Sequence, residues 1–293
     1  LGGLIELGSE AWSNKAIYSM QNISGIDPAH PGQVLLAEHL QKHHPARPGR
    51  PPPRVVINSH AVPESYGMIH GYSSPDAYTS LFLKRPWDYL HGMVGIPSPS
   101  LANTYLSYEV YKTTPFPWPA IAQDVGFDAE QGLINNPNPT PRAYLSFASP
   151  PPMTPASALT SLTNGHDIYR STLIETPAIR PLPTNGPPAR PVDFLRFGDS
   201  EIELEVTSPQ DALLVLAEVW YPGWQAEVNG TIVATQPVNY WMRAVSIPAG
   251  DSKVRLFYRE RKLPLGLGIS LLGLIAAFVA VRRRSGQSES SAV

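Results

Sequence analysis

The sequence predicts an α+β chain: an irregular α/β N-terminal part, then an antiparallel β-sandwich, then one C-terminal transmembrane helix. Three observations carry this expectation. Proline, about twice as frequent as in an average protein, is concentrated in residues 1–191, which hold 28 of the 33. From residue 201 onward, short apolar stretches recur with turn residues between them and no helical period among them. Residues 263–281 carry no charge and are followed at once by Arg282, Arg283 and Arg284.

The chain opens on an apolar stretch that has no basic region or cleavage site before it, so it does not read as a signal peptide. Residues 1–8 read instead as the end of a truncated transmembrane helix, and the chain as a piece of something longer. Residues 9–180 form the expected α+β region. Within it, 32–44 has a helical pattern with Val34, Leu35, Ala37 and Leu40 on one broad face. Ser74 followed by Pro75 predicts a helix start leading into 76–84, and Thr154 followed by Pro155 predicts another reaching about Leu162. Residues 54–58 and 142–149 read as strands. A proline-rich linker at 181–191 cannot continue a helix or a central strand.

Residues 192–260 are the predicted sandwich. In 201–206 aliphatic residues alternate strictly with Glu201, Glu203 and Glu205, as on a half-buried strand. The run 212–220 is nearly all apolar, which fits a strand covered on both faces. Strands at 224–228 and 231–235 flank Asn229 and Gly230, the favoured pair for a type I′ hairpin turn. Two more strands, 240–247 and 253–258, are separated by the turn 248–251.

The uncharged run 263–281 would form a helix about 28 Å long, close to the hydrocarbon thickness of a bilayer. The arginines after it place the tail, 282–293, in the cytoplasm and residues 9–262 outside, although Arg259, Arg261 and Lys262 reduce the asymmetry. Gly266, Ser270, Gly273 and Ala277 put small residues near one face of this helix, where another helix could approach closely.

Composition excludes several functions. With no cysteine there is no disulfide framework, no thiolate metal site and no thiol nucleophile. A net charge of −2 without a basic block in the soluble part argues against nucleic acid as a partner. No P-loop, G-x-S-x-G, H-E-x-x-H or dinucleotide fingerprint is present, and no acid–base pair can be nominated. His39 and His43 have a zinc-compatible spacing but no obvious third ligand, so no metal is assigned. The three glutamates of 201–205 suit either calcium or the solvent side of a sheet. Trp220, Tyr221, Trp224, Tyr240 and Trp241 crowd one hairpin and its neighbour. They either stack on sugar faces or fill the core. Arg243 and Arg142 either grip a phosphate or carboxylate, or hold the fold by hydrogen bonds.

The stretch 216–230, with its Tyr221-Pro222-Gly223-Trp224 core and Asn229-Gly230 turn, is followed by Arg243-Ala244-Val245 and Pro248-Ala249-Gly250. It resembles the C-terminal region of the bacterial YfhO-like membrane proteins, in which a "yyPGW.a.vdG" hairpin, an "RAv.vPaG" strand and a "v.f.Y.P" strand run into a last transmembrane helix. Residues 254–258 stand at the third segment, with Arg259 and Glu260 where the family has proline. Gly71-Tyr72 and 138–145 match two upstream segments of the family, but the strand that normally precedes the second is not evident in 95–135.

The resemblance implies a GT-C-like glycosyltransferase of the bacterial cell membrane, acting in cell-envelope glycan or glycolipid modification. Such a protein moves a sugar from a polyprenyl-linked donor, without a cofactor. Its acidic catalytic residues lie on early loops of an upstream transmembrane bundle, so this chain alone is expected to be inactive. Its partners would be the lipid bilayer, that bundle, and a polyprenyl-linked sugar or envelope glycan. A non-enzymatic, membrane-anchored sandwich that binds envelope glycan or protein is the alternative.

Overall fold

The computed structural model describes residues 31–45, 47–57, 71–73, 83–93, 125–128, 132–135, 139–175, 182–260 and 266–278. Two five-stranded antiparallel sheets form the sandwich. One has the order β10 (Thr231–Ala234), β9 (Trp224–Val228), β13 (Gly250–Tyr258), β7 (Glu201–Ser208), β6 (Phe194–Phe197). The other runs β11 (Gln236–Val238), β12 (Met242–Ile247), β8 (Ala212–Val219), β4 (Ala143–Ser146), β5 (Arg190–Pro191). A small separate sheet joins β1 (Val55–Ile57), β2 (Val125–Asp128) and β3 (Gly132–Asn135), with β1 and β2 parallel.

The alternation in β7 does what a half-buried strand requires: Ile202, Leu204 and Val206 are buried, while Glu201, Glu203 and Glu205 point outward. Those glutamates pair across the sheet with Arg255, Arg196 and Lys253. They form a solvent-side ladder of ion pairs, and no cluster able to hold a metal occurs among the described residues. Strand β8 is buried on both faces. Leu214 and Leu216 meet the β7, β9 and β13 aliphatics between the sheets. Leu213, Val215 and Ala217 face a second core closed by Ala158 and Leu162 of α3 (Pro155–Thr163) and by Tyr89 of α2 (Lys84–Met93). Burial of each such leucine is worth about 1.5–3 kcal/mol, so the near-continuous apolar run follows from two cores sharing one strand.

Local signals fix the element ends. Thr154 caps α3 by accepting from the Ser157 N–H at 3.2 Å, and Pro155 occupies the first turn. The β9–β10 turn has Asn229 and Gly230 both at positive φ, 50° and 82°, as a type I′ turn demands. The helix expected at 32–44 is α1 (Pro31–His43), but Ala37 is exposed. Leu36 and Leu40, one turn apart, are its described buried residues.

Three expectations need correction or restriction. The strand expected over 240–247 starts only at Met242, because Asn239 and Tyr240 are left-handed, with φ of 46° and 66°. Buried Asn239 forces this bend: its Oδ1 accepts from the Leu173 N–H at 2.9 Å and its Nδ2 donates to the Tyr144 hydroxyl at 3.1 Å. The sandwich also draws β4 and β5 from outside 192–260, and the 182–189 segment is pinned to the end of β4. There the Ser149 N–H donates to the Pro183 carbonyl at 3.2 Å, and a Cβ on Gly186 would lie 2.0 Å from the Phe147 carbonyl oxygen. Residues 1–30, and 76–82 of the helix expected at 76–84, lie outside the described residues, whereas α2 begins at Lys84.

The C-terminal helix is described over 266–278, and every residue in that stretch is exposed. The span expected at 263–281 extends past the described residues at both ends. Among the described residues, no helix is long and apolar enough to cross a membrane.

Candidate functional site

A register break builds the site. Strand β12 pairs with β8 through Met242 opposite Val219 and Arg243 opposite Leu216, so Ala217 and Glu218 have no ladder partner on β12. Bulges of this kind re-aim side chains near functional sites. By strand alternation Glu218 follows Ala212, Leu214 and Leu216 on the inner face, and Arg243 precedes Val245 and Ile247 on the same face of β12. Both therefore lie at one end of the sandwich, between the sheets. The opposite sheet contributes Trp224, Phe197 and Ile202. Pro52, Arg54 and Ser73, with Pro86 and Tyr89 of α2, line the same cavity of about 390 Å³.

Arginines dominate its polar lining. Arg54 donates from Nη2 to Glu218 Oε1 at 3.1 Å and from Nη1 to the Ala217 carbonyl at 2.9 Å. Arg142 donates from Nε to the same Oε1 at 2.8 Å, again from Nη2, and from Nη1 to the Pro52 carbonyl at 3.1 Å and Ser73 Oγ at 3.2 Å. Arg243 is 5% exposed and makes no such bonds: its Nε and Nη1 are sealed from solvent with no hydrogen-bond partner among the described residues. Its guanidinium carbon lies 3.7 Å from the centre of the Trp224 ring, so the cation is stacked but not neutralised. Trp241, another lining residue, carries a further buried donor, Nε1, without a partner among the described residues.

Burial alone would raise the Glu218 pKa, but Arg142, Arg54 and Arg243 outweigh it and hold the carboxyl below its ordinary range. Burial, helped by Arg142 and resisted by Glu218, pushes Arg243 down to about 10, still protonated near neutrality. Among the described residues, the buried lining holds three guanidiniums and one carboxylate. Asp199, the other acid on the lining, sits in exposed backbone at the β6–β7 turn. Leaving a buried donor unmatched costs about 1–3 kcal/mol, more when it is charged. Such a cost persists in a fold when something other than stability maintains it.

Of the residues singled out from sequence, Arg142, Arg243, Trp224 and Trp241 share this cavity. Trp220 and Tyr240 go elsewhere. Arg85 of α2 lies 5.8 Å and 5.2 Å from their ring centres and donates to both oxygens of Glu175, at 2.9 and 2.8 Å, and to the Tyr240 carbonyl. The Tyr240 hydroxyl donates to Asp88 Oδ2 at 2.6 Å. This second cluster clamps α2 onto the 239–241 turn. Tyr221 is 45% exposed and leans on Tyr258, with ring centres 6.3 Å apart.

Sequence reading missed Arg54 and Glu218. Glu218 had a signal: it is the one acid in an otherwise apolar strand, at an inward position of the alternation. Arg54 follows three prolines and precedes Val55 and Val56, which gives no hint that it reaches β8.

Every sandwich strand but β4, with the bulge and the start of the terminal helix, lies in a segment that is similar to one family. Residues 189–270 match the family described as bacterial membrane protein YfhO. This YfhO-like segment holds Glu218, Trp224, Trp241 and Arg243, while Arg54 and Arg142 come from chain outside it. The family that it matches is described as one of bacterial membrane proteins. No curated protein and no solved structure matches the chain.

Proposed function

We propose that this chain is the extracytoplasmic domain and closing membrane helix of a GT-C-like membrane glycosyltransferase that modifies cell-envelope glycans or glycolipids. The observation that carries the reading is the YfhO match itself, which runs through the sandwich and on into the terminal helix. That helix supports it physically. Leu267, Ile269, Leu271, Leu272, Leu274, Ile275 and Phe278 are all more than half exposed, an apolar surface that water does not tolerate and a bilayer or helix bundle does. Nothing described lies within 4 Å of a Cβ placed on Gly266 or Gly273, so the small-residue face is open to a neighbouring helix. Residues 263–281 span the membrane in this reading, with 282–293 in the cytoplasm.

Sugar transfer needs an acid or base poised near the working pH. Glu218 does not fit that role, because its arginines hold it ionised. Catalytic acids therefore belong to the upstream bundle, and the sandwich shapes the acceptor side of the site. The lack of a poised pair in an arginine- and aromatic-lined cavity also favours the second reading, a non-enzymatic sandwich that binds envelope glycan. Reconstitution of the protein from its complete reading frame, with a polyprenyl-linked sugar donor, separates the two. The proposal expects transfer by the complete protein and none by residues 1–293 alone. Turnover by residues 1–293, or none by the complete protein with every donor tried, would overturn it.

A further inference from the structure

We propose, on the reading that residues 263–281 span the membrane, that the corner of the sandwich carrying Tyr221 docks on the lipid headgroup layer. This corner is where β13 leaves the sandwich. The β8–β9 turn packs on the end of β13: the Arg259 N–H donates to the Gly223 carbonyl at 2.9 Å, and a Cβ on Gly223 would lie 2.7 Å from the Tyr258 ring. From the other side, the Tyr258 N–H donates to the Ser200 carbonyl at 2.9 Å. The Tyr258 ring centre lies 6.3 Å from that of Tyr221 and 5.9 Å from that of Trp224. Tyr221 is thus tied, through Gly223 and Tyr258, to the residues at which the chain exits.

Chain length places this corner near the bilayer. Only four residues separate Arg259 from Leu263, a span of at most about 14 Å when fully extended. The headgroup layer takes up about 5–7 Å of that distance beyond the hydrocarbon edge. The residues suit that layer. Tyr221 is 45% exposed and Pro222 beside it is exposed. Tyrosine and tryptophan favour the membrane interface because each joins an apolar ring to a polar group. The turns at the far end of the sandwich, 209–211, 229–230 and 248–251, hold no aromatic residue, so the aromatics are segregated to the exit end. The exit stretch also carries Arg259, Arg261 and Lys262 against Glu260, and anionic headgroups attract such an excess of cations.

The chain has no cysteine, so an environment-sensitive fluorophore can be attached at one introduced cysteine at a time. The test reconstitutes the full 293-residue chain into vesicles of phosphatidylcholine and phosphatidylglycerol. The label is carried by Tyr221→Cys, by Pro222→Cys, which keeps the tyrosine, or by Thr231→Cys. Thr231 is exposed and pairs with Val228, four residues along β9 from Trp224 and toward the far end. The proposal expects blue-shifted emission from Tyr221→Cys and Pro222→Cys, and loss of most of it when the lipid headgroups carry a spin label. The Thr231→Cys label should keep the emission of a label in water and escape that quencher. Flotation with the vesicles separates two failures. A chain that does not float overturns the spanning reading and the docking proposal together. A chain that floats, with both corner labels as wet and unquenched as the Thr231→Cys label, overturns the docking proposal alone. Emission shifted to the blue but untouched by the headgroup quencher would mean that protein covers the corner, and would overturn the lipid assignment as well.

Discussion

Arg85 and Arg243 occupy similar surroundings and end up in opposite states. Each is drawn in beside a tryptophan and within reach of a buried glutamate. Arg85 is paired with its carboxylate: through Nη1 it meets both oxygens of Glu175 and a backbone carbonyl, and it lies against two aromatic rings. Arg243 has the ring of Trp224 and two donors with no partner. The first cluster closes a structural joint between α2 and the 239–241 turn. In the second, Arg54 and Arg142 share the Glu218 carboxylate, and Arg243 stacks on Trp224 beside them. Direct pairing with a carboxylate, rather than burial, separates the two arginines.

The largest effect should come from removing the counter-charge of the second cluster. Glu218→Gln removes the carboxylate that Arg54 and Arg142 share and should cost about 3–5 kcal/mol, read as a lowered denaturation midpoint. Arg85→Met should cost about 2–3 kcal/mol, less because Glu175 can take up a proton once its partner is gone. Tyr240→Phe removes the bond to Asp88 from the same joint and should cost about 1–2 kcal/mol.

pH sharpens the contrast. Burial raises the Glu175 pKa above its ordinary 4.5, and the bonds and charge of Arg85 only partly offset this. Glu218 is lowered instead. A lowered carboxyl lends stability above its unfolded pKa and loses it as pH falls through the folded one. A raised carboxyl lends stability at low pH and loses it as pH rises from the unfolded to the folded pKa. The stability gap between parent and Glu218→Gln should therefore shrink as pH falls below about 4.5, whereas the gap for Glu175→Gln should widen as pH falls toward about 4.5 from above. Parallel slopes in chemical denaturation at stepped pH would contradict the account of both carboxyls.

Much of this was legible in the chain and some was not, for physical reasons. The β7 alternation, the β8 double burial and the Asn229-Gly230 turn follow from local pattern, because strand period and positive φ are properties of a few consecutive residues. The bend at Asn239 was hidden, since Leu173 and Tyr144, far away in the chain, hold it. Arg142 and Arg243 could be suspected from sequence, but their meeting at Glu218 depends on a bulge and on β4 joining the sheet. Arg54 arrives from a proline-rich stretch with no period to read. Trp220 and Tyr240 could either stack on a sugar or fill the core, and local pattern does not reveal that Arg85 of α2 packs against both rings.

The smallest expected effect is the most telling. Arg243→Met removes a buried cation with unspent donors, fills similar volume and leaves Glu218 with Arg54 and Arg142. Denaturant unfolding of the chain should place it within about 1 kcal/mol of the parent, or above it, while Arg85→Met falls well below. A loss for Arg243→Met as large as that for Arg85→Met would make Arg243 a structural arginine like the other, and the contrast between the two clusters would fail.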